Sequence, residues 1–161
     1  MAPIKKATTV VFYTDGSQSQ PQSYKRLTNL TAVCRLSANN IPILAKCWNL
    51  GPSIKVADAE VIGVVKGLKL ANSTPYNNST TFYFFVDSQA AIQRLQGHTF
   101  HALEAQKLIR LLVKKGHKIY IHWCPSHVGI IGNKTANQLA KRGLEKTPER
   151  NHYVSLAFLR R

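Results

Sequence analysis

A chain of 161 residues, 44% of them hydrophobic, is long enough to fold as one domain around its own core without a disulfide or a metal. No apolar run approaches the roughly 18 residues of a membrane span, so we expect no membrane partner. The sequence shows no secretory signal and has only three widely spaced cysteines. We therefore expect an intracellular chain, in cytoplasm or nucleus, that is not secreted. The 22 Lys and Arg against 7 Asp and Glu give a net charge of +15, which favours nucleic acid as partner, although a basic protein without such a partner would have the same composition.

Three strands are predicted first, at residues 8–14, 29–36 and 43–49. The first is an unbroken run of β-branched and aromatic residues, typical of a strand buried on both faces, and it is predicted to end at Asp15-Gly16-Ser17. The polar residues 18–24 predict a loop. Asn39-Asn40 lies between the other two strands, so we expect a hairpin there.

Helices and strands then alternate, with a helix at 56–72, a strand at 81–86, helices at 88–96 and 100–115, a strand at 118–123, a Gly-rich loop at 124–132 and a last helix at 133–145. The order β-β-β-α-β-α-α-β-α predicts an α/β fold with a mixed five-stranded sheet and helices on both faces. We expect a single domain over 1–161, with a core at about 8–145 and a basic C-terminal tail at 146–161.

The few acidic residues fall at informative places. Asp15 and Asp87 each follow a predicted strand, and ligands bind beyond the carboxyl ends of strands in such sheets. Glu60 lies in the first turns of a helix whose Gly63 and Gly67 continue the same stripe, which predicts close approach of that helix to the sheet. Each acid could instead merely cap a helix or turn.

Carboxylates that meet in one crevice repel each other, and they stay ionised together only around a cation. Oxygen ligands suit Mg²⁺, with Mn²⁺ as a substitute. In a basic chain this arrangement favours hydrolysis of a phosphodiester, with two ions flanking the phosphate.

Four segments together resemble type 1 ribonuclease H: Tyr13-Thr14-Asp15-Gly16-Ser17, Ala59-Glu60 with its helix, Val86-Asp87-Ser88-Gln89-Ala90-Ala91, and the run from Trp123 to Asn133. The resemblance covers roughly 8–145 and looks most like the domains carried by reverse transcriptases of retrotransposons, particularly fungal non-LTR elements. Two pieces of the tail, Tyr153-Val154-Ser155-Leu156 and Leu159-Arg160-Arg161, also resemble the segment that comes after such domains. The resemblance implies the ribonuclease H-like fold, a monomer that can be fused to a polymerase domain, and cleavage of the RNA strand of RNA–DNA hybrids with two Mg²⁺ ions.

The resemblance also implies residue roles. Asp15, Glu60 and Asp87 would be metal ligands, and His127 would lie near the scissile phosphate and help turnover. The chain departs from the family at Asn137, which stands where the fourth acid belongs. An amide oxygen can ligate a metal but brings no charge, so we expect weaker binding of the ion that activates water, and impaired activity.

Contacts to the nucleic acid are expected from Gly16, Ser17, Ser88, Gln89, Asn133, Lys107, Arg110 and Lys114. The last three recur at i, i+3 and i+7 of one helix, opposite the leucines Leu103, Leu108, Leu111 and Leu112, although such a stripe can be only a solvated face. Lys134, Lys141 and Arg142 are expected to add positive charge near the site. These contacts would give affinity without reading sequence.

Other interpretations stay open. A chain with this fold could bind a hybrid or double-stranded RNA without cleaving it, and Asn137 is the residue that favours this alternative. Another nuclease or transposase-like enzyme on the same fold is disfavoured by the loop around His127. A zinc site at His122, Cys124 and His127 lacks a second ligand pair, and a cysteine nucleophile at Cys124 lacks an orienting partner.

Overall fold

The runs of β-branched and aromatic residues form the centre of one sheet in the computed structural model, which describes residues 8–20, 27–77 and 79–149. Its elements are β1 (Thr9–Ser19), β2 (Thr28–Leu36), β3 (Pro42–Gly51), α1 (Val56–Ser73), β4 (Thr81–Val86), α2 (Gln89–Leu95), α3 (Phe100–Lys114), β5 (Lys118–Trp123), α4 (Ile131–Arg142) and a 3-10 turn (Gly143–Glu145). The strand order is β3-β2-β1-β4-β5, with β1, β2 and β3 antiparallel and β1, β4 and β5 parallel. The predicted mixed five-stranded sheet is therefore confirmed.

Helices cover both faces of the sheet, as predicted. The larger core packs Phe12, Phe82 and Phe84 of the central strands against α1 and α3. On the opposite face α4 packs small residues, among them Ala136, against Ala32 of β2. The tight fit on both faces fixes how far each helix stands from the sheet.

The prediction that β1 ends at Asp15 is wrong, because the strand continues to Ser19. Its last five residues pair antiparallel with β2, whose backbone satisfies their hydrogen bonds. The loop predicted at 18–24 therefore begins later, and residues 21–26 lie outside the described residues. The last helix begins at Ile131 rather than at 133, and its final turn is the 3-10 turn.

The predicted leucine face of α3 is also wrong in part. Leu103 is 47% exposed and Leu111 is 39% exposed, whereas Ala102 and Ala105 are buried. The small alanines face the core because they let α3 pack closely on α1. Leu103 and Leu111 consequently share the outer face of α3 with the basic residues expected there, instead of lying opposite them.

The predicted C-terminal tail is described only in its first residues. Pro148 forms a bridge with Asn49 of β3, and the carboxylate of Glu149 lies 2.7 Å from the Lys66 ammonium of α1. The tail residues that resemble the family, 153–161, lie outside the described residues. No helix in the described ranges is long and apolar enough to cross a bilayer.

Two glycines of α1 allow the close approach that their position predicts. A β-carbon at Gly63 would lie 2.6 Å from the hydroxyl oxygen of Thr31, and one at Gly67 would lie 2.9 Å from the ring of Phe84. The Thr31 hydroxyl has little room to move, because it donates a hydrogen bond to the carbonyl oxygen of Asp15 at 3.0 Å. The helix thus lies directly against the strand that carries Asp15.

Replacing Gly63 with alanine tests this packing, because the preference of alanine for a helix and the crowding by its β-carbon change the stability in opposite directions. Alanine favours a helix by about 1 kcal/mol over glycine, whereas overpacking a tight core lowers stability by about 1–3 kcal/mol. Because the contact with Thr31 is so close, we take the upper part of that loss, about 2–3 kcal/mol, and expect Gly63→Ala to lower the free energy of unfolding by a net amount of about 1–2 kcal/mol in urea titrations. Ser73→Ala, at the exposed end of α1, is the control and should change it by less than about 0.5 kcal/mol. A stabilised Gly63→Ala variant would show that the helix is not pressed against the sheet.

Candidate metal centre and nucleic-acid site

Two aspartates meet where the parallel pairing of the central strands stops. The last paired residues of β1 and β4 are Thr14 and Val86, and Asp15 and Asp87 are the next residue of each chain segment. Asp15 is inside a strand rather than at its end, yet it still lies at the carboxyl edge of β4. The two carboxyls are close enough to share a hydrogen bond.

The third carboxylate is carried to this edge by α1. Gly16 lies so close to the helix that a β-carbon there would be 2.6 Å from the amide nitrogen of Glu60. The amide of Gly16 donates a hydrogen bond to the Glu60 carboxylate. Ligand oxygens of Asp15, Glu60 and Asp87 consequently lie within 4.8 Å of one another, so the three side chains converge as the sequence predicts.

The metal-free site favours protonated carboxyls. Burial, together with the charges of Asp15 and Asp87, raises the pKa of Glu60 to about 9. Burial and the neighbouring Asp87 raise the pKa of Asp15 to about 8. Burial also raises the pKa of Asp87. One oxygen of Glu60, Oε2, is buried without any hydrogen-bond partner.

Helix α4 brings Asn137 to the same carboxylates. Its side-chain amide Nδ2 donates a hydrogen bond to Asp15 Oδ2 at 3.2 Å. The residue is half-buried in the middle of the helix. The helix can approach this closely because Gly132 has no side chain, since a β-carbon there would overlap the ring of Tyr13.

Beside the carboxylates lies an open cavity of about 430 Å³, lined by Asp87, His127, Gly129, Ile130, Asn133, Lys134, Asn137, Gln138 and Lys141. The charge of His127 lowers the pKa of Asp87, against the larger effect of burial. The backbone of His127 has a φ of 58°, in the left-handed region. Lys134 and Lys141 thus line the same cavity as the Asp87 carboxylate.

Asn133 makes a contact within the site that the sequence did not predict. Only 6% of it is exposed, and its side chain makes a hydrogen bond to Asp87. It therefore positions a carboxylate from the edge of the cavity, and the sequence offered no signal for this contact. Unlike Lys134 and Lys141, Arg142 lines a different cavity, between α4 and β3.

The remaining predicted nucleic-acid residues do not line this cavity. Ser88 caps α2 by accepting a hydrogen bond from the Ala91 amide at 3.1 Å, and Gln89 is exposed at the first turn of that helix. Ser17 pairs with Leu30 of β2. The basic residues of α3 are exposed, as expected: Lys107, Arg110 and Lys114. Within the described ranges, the three carboxylates are the only cluster of metal-binding side chains, so the residues considered for zinc do not form a second one.

The family model for RNase H matches residues 7–145. The chain belongs to the RNase H family. No curated protein is significantly similar to it in sequence.

Solved structures show the same fold at low sequence identity. RNase H1 from the halophilic archaeon Halobacterium salinarum is 17% identical, with a TM-score of 0.62, over 86% of this chain and 99% of that chain. The RNase H domain of prototype foamy virus is 19% identical, with a TM-score of 0.60, over 84% of this chain and 94% of that one.

The foamy viral protease-reverse transcriptase in complex with an RNA/DNA hybrid is 18% identical, with a TM-score of 0.65, over 86% of this chain. The match spans only 20% of that viral protein. These likenesses confirm the RNase H-like fold, whereas the expected closeness to retrotransposon domains stays a prediction.

The pKa values lead to a prediction for stability without divalent ions. An aspartate in an unfolded chain has a pKa near 3.9, and folding raises that of Asp15 to about 8. The folded state then binds more protons than the unfolded state, so this group stabilises the fold at low pH and the contribution is lost as the pH rises through that window.

We expect Asp15→Asn, in EDTA at pH 8, to raise the free energy of unfolding by about 1–3 kcal/mol. The difference from the native chain should grow between about pH 4 and 8. Glu145→Gln, at an exposed carboxyl outside the site, serves as the control. Mg²⁺ should stabilise the native chain and not the Asp15→Asn variant. A native chain that is more stable than Asp15→Asn at pH 8 in EDTA would contradict this account of the site.

Proposed function

We propose that this chain is an endonuclease that hydrolyses the RNA strand of RNA–DNA hybrids at the site formed by Asp15, Glu60 and Asp87. The observation that carries the proposal is the convergence of three carboxylates within 4.8 Å in a chain of the RNase H family. Divalent cations, Mg²⁺ or Mn²⁺ as a substitute, would be the cofactors, two in the full mechanism of the family.

The residues present fit such a cation. All ligand atoms are oxygens, which Mg²⁺ and Mn²⁺ prefer. The buried Glu60 oxygen has no other partner, and the raised pKa values of Asp15 and Glu60 support the need for a positive charge there. Bound at these carboxylates, divalent ions would lower the pKa of an attacking water and stabilise charge on the phosphate.

The protein's own groups hold this site in shape. The Gly16 amide orients the Glu60 carboxylate, and Asn133 orients that of Asp87. His127 lines the cavity next to Asp87, where it can contact a phosphate and assist departure of the product. Asn137 would have to turn its carbonyl oxygen, instead of its NH₂ group, toward a cation, so we propose that activity is weak.

An RNA–DNA hybrid is the proposed partner because of the chain's positive charge and its similarity to a protein that was solved with such a hybrid. The net charge of +15 attracts a polyanion, and the lysines at the cavity mouth, Lys134 and Lys141, can meet phosphates beside the carboxylates. The related foamy viral protein was solved with an RNA/DNA hybrid. We propose that Gly16, Ser17, Ser88, Gln89 and the basic residues of α3 contact the backbone of the duplex farther from the cavity.

Further features of the proposal concern the protein's context. Residues 8–145 would form the catalytic domain of a monomer, working in cytoplasm or nucleus. Matches to long reverse transcriptases support attachment to a polymerase domain, as in a retrotransposon.

The second candidate function is binding of a hybrid or double-stranded RNA without cleavage. The hydrogen bond from Asn137 Nδ2 to Asp15 favours it, because a neutral donor occupies the place of a fourth carboxylate.

Cleavage of a labelled hybrid, in Mg²⁺ and in Mn²⁺, tests the proposal. We expect weak cleavage of the RNA strand, stronger in Mn²⁺, which binds a given set of ligands more tightly. Asp15→Asn should abolish it. Asn137→Asp should raise the rate about 3- to 10-fold, or up to about 1.4 kcal/mol in the barrier, since a charged ligand holds the cation better.

Binding of the same hybrid, measured alongside, separates the two candidate functions. If the native chain and Asn137→Asp both bind the hybrid and neither cleaves it, the binding function is supported and the enzymatic one is wrong. If the native chain cleaves as fast as Asn137→Asp, Asn137 does not impair the site.

A further inference from the structure

Lys141 is placed to act on the same crevice as Asn137. It lies four residues after Asn137 in α4, so the two side chains are on one side of the helix. Both line the cavity that contains Asp87. Lys141 is exposed and pairs with no carboxylate in the part of the chain that the structure describes.

The positive charge of Lys141 acts on the carboxylate of Asp15. It lowers the pKa of Asp15, against the larger increases caused by burial and by Asp87. Asn137, one turn before Lys141 in α4, contributes a hydrogen bond to Asp15 and no charge. Of the other basic residues at this cavity, His127 acts on Asp87, and Lys134 lies at the opposite end of α4 from Lys141.

The balance of charge decides how many divalent ions such a site can hold. Before a phosphate enters, one divalent ion and one ammonium group neutralise the three carboxylates. A second divalent ion on the α4 side would meet a neutral amide and a nearby ammonium, and like charges repel at this range. Without a fourth carboxylate, nothing on this helix offsets that repulsion.

We propose that Lys141 supplies the positive charge on the α4 side of the crevice, in the place of a second divalent ion, so that this chain holds one ion tightly. The inference rests on the proposed function and deepens it. In the complex, the ammonium of Lys141 would stabilise negative charge on the phosphate that enters the cavity. Lys141 is then a charge-supplying residue of the reaction, not a solvated surface lysine.

The consequence is that the effect of removing Lys141 depends on residue 137. In the native chain, Lys141→Gln removes this positive charge from the α4 side, and cleavage should fall at least about 10-fold. In Asn137→Asp, Lys141 would form an ion pair with the new carboxylate four residues before it, and this pair would compete with a second ion. Lys141→Gln should therefore raise cleavage by Asn137→Asp.

Counting bound Mn²⁺ tests the inference without relying on activity. Free Mn²⁺ is followed by electron paramagnetic resonance as it is titrated into protein with a cleavage-resistant RNA–DNA hybrid. We expect one tight ion for the native chain and for Lys141→Gln. The double variant, Asn137→Asp with Lys141→Gln, should bind two ions. It should bind the second ion at least about 10-fold more tightly than the single variant Asn137→Asp does. Lys46→Gln, the same charge change outside this cavity, should match the native chain in both readouts.

The outcomes separate the inference from the proposed function. Two tight ions on the native chain, or a Lys141→Gln effect of the same sign in both backgrounds, would overturn the assignment of Lys141 and leave the enzymatic function standing. No bound Mn²⁺, or binding that survives Asp15→Asn, would contradict the proposed function itself and the inference with it.

Discussion

The mutual repulsion of Asp15, Glu60 and Asp87 is the constraint on which the site depends. Their oxygens lie within 4.8 Å, and burial deprives them of the water that would screen their charges. Without a cation, the group retains protons at neutral pH and weakens the fold as the pH rises. With a cation, the same arrangement becomes a preformed binding site. The repulsion among the three carboxylates is thus the physical source of the site's affinity for a positive charge, carried either by a metal ion or by an ammonium group.

Close packing is what holds these charges together. Gly16 and Gly63 let α1 lie against the sheet, and Gly132 does the same for α4 on the opposite face. Any side chain at these positions would push a helix outward and separate Glu60 or Asn137 from the aspartates. The core formed by Phe12, Phe82 and Phe84 supplies the stability that offsets the repulsion. The fold and the chemistry are therefore linked through the distance between helix and sheet.

Much of this was predictable from the sequence, because it depends on local patterns. Continuous apolar runs predicted the central strands, and acids at the ends of those runs predicted the crevice. The features that could not be predicted depend on partners distant in the chain. The extension of β1 through Asp15 follows from pairing with β2, and the outward position of Leu103 follows from the fit of alanines between α3 and α1. Likewise, the contacts of Asn133 with Asp87 and of Asn137 with Asp15 depend on how α4 docks.

The central claim is that a divalent cation binds among the three carboxylates. Anomalous diffraction from crystals of the chain soaked in Mn²⁺ tests it most directly, because the ion is located without reference to activity. The account predicts a peak within about 2.0–2.4 Å of oxygens of Asp15, Glu60 and Asp87, and its loss in Asp15→Asn crystals. A native crystal with Mn²⁺ bound only at other sites, or with the crevice empty at saturating Mn²⁺, would contradict it.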